Sequence, residues 1–252
     1  MVTTRQPRLP RWLALPYAAY ATLLFAVLAV GVLVLTLPMP WQAVRRKTVR
    51  GAARLFLFLA GMRVTVLHLE RIPAQACVVV ANHSSYLDGI VLFAALPPVF
   101  GFVIKREMSR VPLANLLLRQ IGAHFVDRGQ GNKGARDTRK LLKQAASGGS
   151  LAFFPEGTFH TTPGLMRFRA GAFLVAARSG FPVLPVAIRG SRQALPPGTF
   201  LPNPGRMEIE ITNPIAAPAS TDEADTSAVR RAARRAILAK TNEPDLAPED
   251  RA

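Results

Sequence analysis

The sequence predicts an α/β fold: a mostly parallel sheet flanked by helices, with an N-terminal membrane-spanning helix and a surface amphipathic helix. Three observations carry this. Short β-branched or aromatic runs alternate with helix-like segments through most of the 252 residues. A long apolar stretch without acid or base lies near the start. A basic segment with an apolar end follows it.

Strands are expected at residues 63–69, 76–80, 99–104, 123–126, 151–154, 183–188 and 207–211, as runs of four to seven residues rich in Val, Ile and Phe. Helices are expected at 85–96, 112–121, 133–146, 170–178 and 225–240, the third ended by Gly148-Gly149. Strands alternating with helices, and apolar along most of their length, argue a buried and largely parallel sheet. The Pro-rich stretch 196–204 reads as a surface connection, because a strand and a helix still follow it.

No acidic or basic residue lies between Arg11 and Arg45, and residues 15–37 are almost wholly apolar. A helix of that length covers roughly 34 Å, enough for the ~30 Å hydrocarbon core of a bilayer. Pro16 sits where a first helical turn tolerates proline, and Pro38 stops the run. A cleaved signal peptide is the rival reading, but its apolar core would exceed the usual ~7–15 residues and a basic cluster follows it. The resulting organisation is a tail and spanning helix at 1–43, a basic amphipathic interfacial helix at 44–60 and an α/β domain at 61–252.

The formal charge is +17, from 32 Lys and Arg against 15 Asp and Glu. Such a balance suits nucleic acid, anionic lipid or an anionic substrate. Arg45, Arg46, Lys47, Arg50 and Arg54 crowd after the apolar run, where they can lie on acidic phospholipid. No nucleic-acid motif is evident, so no nucleic-acid partner is expected. Arginines flank both ends of the apolar run. The positive-inside rule therefore gives only a slight preference for an α/β domain on the cytoplasmic side of an inner or plasma membrane. Cys77 is the only cysteine and excludes a disulfide within the chain; it is expected to be buried. The four histidines are scattered, with no H-E-x-x-H and no cysteine partner, so no metal site is expected.

Four expected strands end in unusual polar residues: Asn82 to Asp88, Lys105-Arg106-Glu107, Asp127-Arg128 and Pro155-Glu156-Gly157-Thr158. In a parallel sheet these junctions meet on the carboxyl edge, where α/β proteins bind ligands. That edge would carry a histidine with a carboxylate nearby, two or three cations and a turn with free backbone N–H groups. Each piece alone has a plainer reading. Ser85-x-x-Asp88 also reads as a capping box opening a helix. Lys105 and Arg128 could be solvated surface charges, and the Pro-Glu-Gly-Thr run an ordinary turn. The cap and the histidine partner can coexist in Asp88. Ser84 and Ser85 suit N-cap roles better than nucleophilic ones, as there is no G-x-S-x-G elbow.

Together these blocks resemble the glycerophospholipid acyltransferase family, whose best-known members acylate lysophosphatidic acid. N-H-x4-D appears as Asn82-His83 to Asp88, G-x-x-F-x-x-R as Gly122 to Arg128, F-P-E-G-T as Phe154 to Thr158, and the apolar segment around a proline as Val183 to Ile188. The resemblance implies transfer of an acyl chain from acyl-CoA or acyl carrier protein to the free hydroxyl of a lysophospholipid. Those thioesters are co-substrates, and no cofactor is implied. His83 would be the general base and Asp88 its partner, Lys105 and Arg128 would bind the acceptor phosphate, and Glu156, Gly157 and Thr158 would shape the acceptor site. One position departs from the pattern: many lysophosphatidic acid enzymes have Arg after E-G-T, and this chain has Phe159. That leaves another acceptor, such as a lyso-ornithine lipid, as the alternative. A non-catalytic basic binding protein is the rival from another class.

Overall fold

The computed structural model describes residues 9–127 and 132–247. Two helices open the chain, α1 (Arg11–Thr36) and α2 (Gln42–Leu59). The catalytic domain follows as β1 (Met62–Leu67), β2 (Val78–Ala81), α3 (Leu87–Ala95), β3 (Gly101–Lys105), α4 (Pro112–Gln120), β4 (His124–Val126), α5 (Asn132–Ala146) and β5 (Leu151–Phe153). It continues with α6 (Gly171–Ser179), β6 (Val183–Arg189), α7 (Ser191–Ala194), β7 (Gly205–Ile211) and α8 (Glu223–Leu238). Each expected strand and helix of this domain is present, within about two residues at most ends. The short α7 was not foreseen.

The seven strands lie in the order β1-β7-β6-β2-β5-β3-β4. From β6 to β4 every neighbouring pair is parallel, whereas β7 runs antiparallel to β6 and carries β1 with it. The β6–β7 connection has no helix longer than α7, too little for a parallel crossover, so the chain turns back along the edge of β6. Side chains of β2 alternate between two cores. Cys77, Val79 and Ala81 face α2 and α3, while Val78 and Val80 face the layer of α6 and α8. Cys77 is fully buried, and desolvation pushes its thiol up to about 11.

Helix α1 starts four residues before the expected run, so Pro16 lies in its second turn and leaves the Trp12 carbonyl without a helical donor. By length and composition α1 can cross a bilayer. A stripe of Ala18, Ala21, Ala29, Val32, Leu33 and Thr36 is buried, at helical spacing. Trp12, Leu15, Leu23, Val27, Val34 and Leu35 are exposed. The small residues let α2 approach closely. Phe25 meets Phe56 edge-on at 5.5 Å, and the hydroxyls of Tyr17 and Tyr20 donate to the carbonyls of Ala60 and Leu59.

Three of the five cations expected to face lipid turn inward instead. Arg46 is buried and donates to the carbonyls of Ile121 (2.7 Å) and Val99 (3.2 Å). Arg50 and Arg54 donate to the carbonyls of Ala94 and Ala95. Those carbonyls close α3, so the guanidinium groups satisfy acceptors that a helix end leaves open and sit in the favourable field of its dipole. Hydrogen bonding to backbone thus determines their direction, and the basic collar is partly a clamp between α2 and the catalytic domain.

Candidate active site

The parallel order β2-β5-β3-β4 brings the four polar junctions to one edge, as their sequence positions suggested. The N–H and C=O of Ile188 in β6 pair with the side chain of Asn82, at 2.7 and 2.9 Å, which fixes the first residue past β2. Asn82 and Phe154 lie in the sequence blocks but were not singled out as site residues, because their partners are distant in the chain.

His83 follows. Its Nδ1 lies 2.9 Å from Asp88 Oδ2, and its backbone N–H donates to Glu156 Oε1 at 2.6 Å. Asp88 is in the first turn of α3 and fully buried. The same Oδ2 accepts the backbone N–H groups of Ser84 (2.6 Å) and Ser85 (2.8 Å), so the helix-capping carboxylate is also the histidine's partner. Asp88 Oδ1 is buried without a hydrogen-bond partner among the described residues. The Ser85 hydroxyl donates to the Leu195 carbonyl and the Ser84 hydroxyl pairs with that of Ser191, which leaves both in structural roles. With Asp88 on Nδ1, the Nε2 of His83 keeps its lone pair for chemistry.

Aromatic rings frame the imidazole. Phe154 stacks on it at 4.4 Å, and Phe159 meets it edge-on at 4.6 Å. Phe159 in turn contacts Tyr86 at 4.8 Å, and Tyr86 stacks on the exposed ring of Phe200. The residue that departs from the expected motif is therefore in contact with the base.

Glu156 sits on the neighbouring strand end. Phe154 to Gly157 form a turn, with the Gly157 N–H donating to the Phe154 carbonyl and Gly157 at φ +83°, where a side chain would be strained. Glu156 Oε2 accepts the Met166 N–H at 2.8 Å. Burial pushes this carboxyl up to about 8, with the charges of Asp88 and Glu243 adding to the rise and the two backbone hydrogen bonds opposing it. Glu156 thus braces the backbone of His83 from a buried position. Thr158 is exposed at the mouth. Lys105, two strands from β2, is half-exposed and pairs with Glu107 at 3.0 Å. Arg128 lies outside the described residues. His124 and His160 do not join His83, and no cluster among the described residues could hold a metal ion.

A family model described as Acyltransferase matches residues 63–189, half of the chain. The chain belongs to the acyltransferase family. The match runs from β1 to β6 and so includes His83, Asp88, Lys105 and Glu156. Among curated acyltransferases, a probable 1-acyl-sn-glycerol-3-phosphate acyltransferase of Mycoplasma pneumoniae is 32% identical over 59% of this chain and 57% of its own length. The 1-acyl-sn-glycerol-3-phosphate acyltransferase of Pseudomonas aeruginosa is 29% identical over 69% of this chain and 68% of its own. The chain spans about half the length of the first of the curated relatives it matches. Among solved structures, the 1-acyl-sn-glycerophosphate acyltransferase PlsC of Thermotoga maritima superposes with a TM-score of 0.72, covering 91% of this chain and 95% of that one at 24% identity. That likeness speaks for the fold.

Proposed function

We propose that this acyltransferase moves a fatty acyl chain from acyl-CoA or acyl carrier protein to the free hydroxyl of lysophosphatidic acid, giving phosphatidic acid. The observation that carries the reading is the His83 Nδ1–Asp88 Oδ2 contact of 2.9 Å at the carboxyl edge of the sheet, in a chain whose curated relatives bear that activity in their names. The acceptor hydroxyl gives its proton to His83 Nε2 as its oxygen attacks the thioester carbon. Asp88 holds the tautomer and stabilises the imidazolium. Collapse of the tetrahedral intermediate breaks the C–S bond, and the imidazolium protonates the departing thiolate. The nucleophile belongs to the substrate, which agrees with the structural engagement of Ser84 and Ser85.

Lys105 lies two strand spacings from β2, about 10 Å. A lysine stem and a glycerol phosphate together bridge that distance, so Lys105 exchanges Glu107 for the acceptor phosphate, with Arg128 as its companion. The membrane attachment is α1. Its packed stripe runs along α2 and reaches α4, and its exposed aliphatic face has no protein partner among the described residues. We infer that α1 spans an inner or plasma membrane by that face, with the catalytic domain on the cytoplasmic side.

The test is turnover with the acceptor varied. His83→Ala should nearly abolish transfer, and Asp88→Asn should lower turnover by on the order of 10²–10⁴, by analogy with loss of a triad aspartate. A folded His83→Ala protein with near wild-type turnover would remove the general base. If a lyso-ornithine lipid were acylated and lysophosphatidic acid were not, Phe159 would mark a different acceptor.

A further inference from the structure

The polar run after α8 contains Glu243, Pro244 and Asp245, and the sequence gives it no role. In the structure it is stitched to the loop between Thr158 and Arg169 that leaves the active-site turn. Glu243 takes a two-point contact from Arg192, at 2.5 and 3.1 Å, and accepts the Gly164 N–H at 2.9 Å. Arg192 also donates to the His160 carbonyl at 2.7 Å. Leu165 N–H donates to the Pro244 carbonyl, and Leu246 N–H donates back to the Leu165 carbonyl, forming a one-residue parallel bridge. Gly164 adopts φ +147°, and a Cβ there would come within 2.3 Å of the Leu246 side chain, so glycine leaves the space that Leu246 fills against the loop.

A second tie lies beneath. Arg234 of α8 is 2% exposed, and it donates to the carbonyls of Leu165 (2.7 Å) and Met166 (3.0 Å) while pairing with Asp245. Met166 is the residue whose N–H holds Glu156, and Glu156 holds the backbone of His83. A hydrogen-bonded line therefore runs from Asp245 through Arg234, Met166 and Glu156 to the base. A buried arginine–carboxylate pair gains little stability over apolar packing, so Arg234–Asp245, with the partly buried Arg192–Glu243 beside it on the same loop, suits a device for geometry.

We propose that residues 243–246 are a positioning element for acyl transfer, holding the 158–169 loop, and with it Glu156 and Phe159, against His83. The proposal rests on His83 as the base, and its test has a readout independent of turnover. Amide hydrogen exchange of the full chain in detergent is followed for peptides covering residues 156–168 and 79–85, with peptides from β6 as an internal reference. Glu243→Gln should raise exchange in the first two and leave β6 unchanged. It should lower kcat for lysophosphatidic acid by on the order of 10- to 100-fold, with the thioester KM unchanged. Because Asp245→Asn leaves a lone buried guanidinium and can unfold the chain, the companion variant is Arg234→Met with Asp245→Leu, which removes both charges together. That variant should fold and show the same loosening and the same fall in kcat. Unchanged exchange overturns the proposal, and so does local loosening with unchanged kcat per folded molecule. If the wild-type chain turned over no lysolipid, the proposed function would fail, while the exchange pattern would still decide whether these residues hold the loop.

Discussion

Replacing Glu156 with glutamine tests which of two opposed effects governs the carboxyl that braces the base. Burial favours the neutral acid, whereas the N–H groups of His83 and Met166 favour the carboxylate, and burial wins, with the group at about 8. Between the ordinary carboxylate range and that value, the folded chain holds a proton that the unfolded chain has released. Stability from this group is therefore present below about pH 4.5 and lost as pH rises towards 8, a fall of roughly 3–5 kcal/mol in full. Glutamine carries no charge but presents only one oxygen to two backbone donors, a cost of about 1–3 kcal/mol at every pH. Wild type should therefore be the more stable protein near pH 5, should lose that lead between about pH 5 and 7, and should be the less stable one by about pH 8.5. Thermal unfolding in mild detergent reads this as a gap of a few degrees that changes sign, at about 2–4 °C per kcal/mol for a chain of this size. Other titrating groups are common to both proteins and cancel in the difference. A gap that stayed constant from about pH 5 to 9 would refute the reasoning, and would mean that the backbone donors keep Glu156 ionised throughout.

Two further outcomes follow from the helical hairpin. Arg46→Ala should destabilise the fold by roughly 2–4 kcal/mol, because the carbonyls of Ile121 and Val99 lose a charged donor in a buried setting; equilibrium unfolding in detergent checks it. Membranes carrying the protein should retain it through both high salt and alkaline carbonate, since α1 attaches by apolar contact and Arg46, Arg50 and Arg54 are engaged with backbone. Quantitative release by salt alone would show that the attachment is electrostatic.

Much of this architecture is legible in the sequence, because strands and helices of the catalytic domain are written in local pattern. Val78 to Val80 and Val183 to Ile188 could hardly be other than buried strands, and their placement predicts the shared edge. What escaped depends on partners far along the chain. The inward turn of Arg50 and Arg54 requires the end of α3, some forty residues away. The bond from the His83 backbone to Glu156 spans 73 residues. Glu243 and Asp245 carry no sequence signal for the same reason. The reversal of β7 did leave a local sign: the Pro-rich 196–204 stretch has no helix to carry a parallel crossover.

The side-chain amide of Asn82 takes the place of one further backbone unit of β2. The ladder between β2 and β6 ends at Ala81 and Val186, and beyond it Asn82 offers one acceptor and one donor to the N–H and C=O of Ile188. A peptide group would do the same in a continued strand, but it would carry the chain straight on. By borrowing a side chain for the last rung, the main chain is released to turn at His83 while the register of the two strands stays locked. This demands an amide of one length. Aspartate would face the Ile188 carbonyl with a second acceptor, and glutamine would reach past the rung, so either exchange should unfasten the strand end and leave both core layers intact.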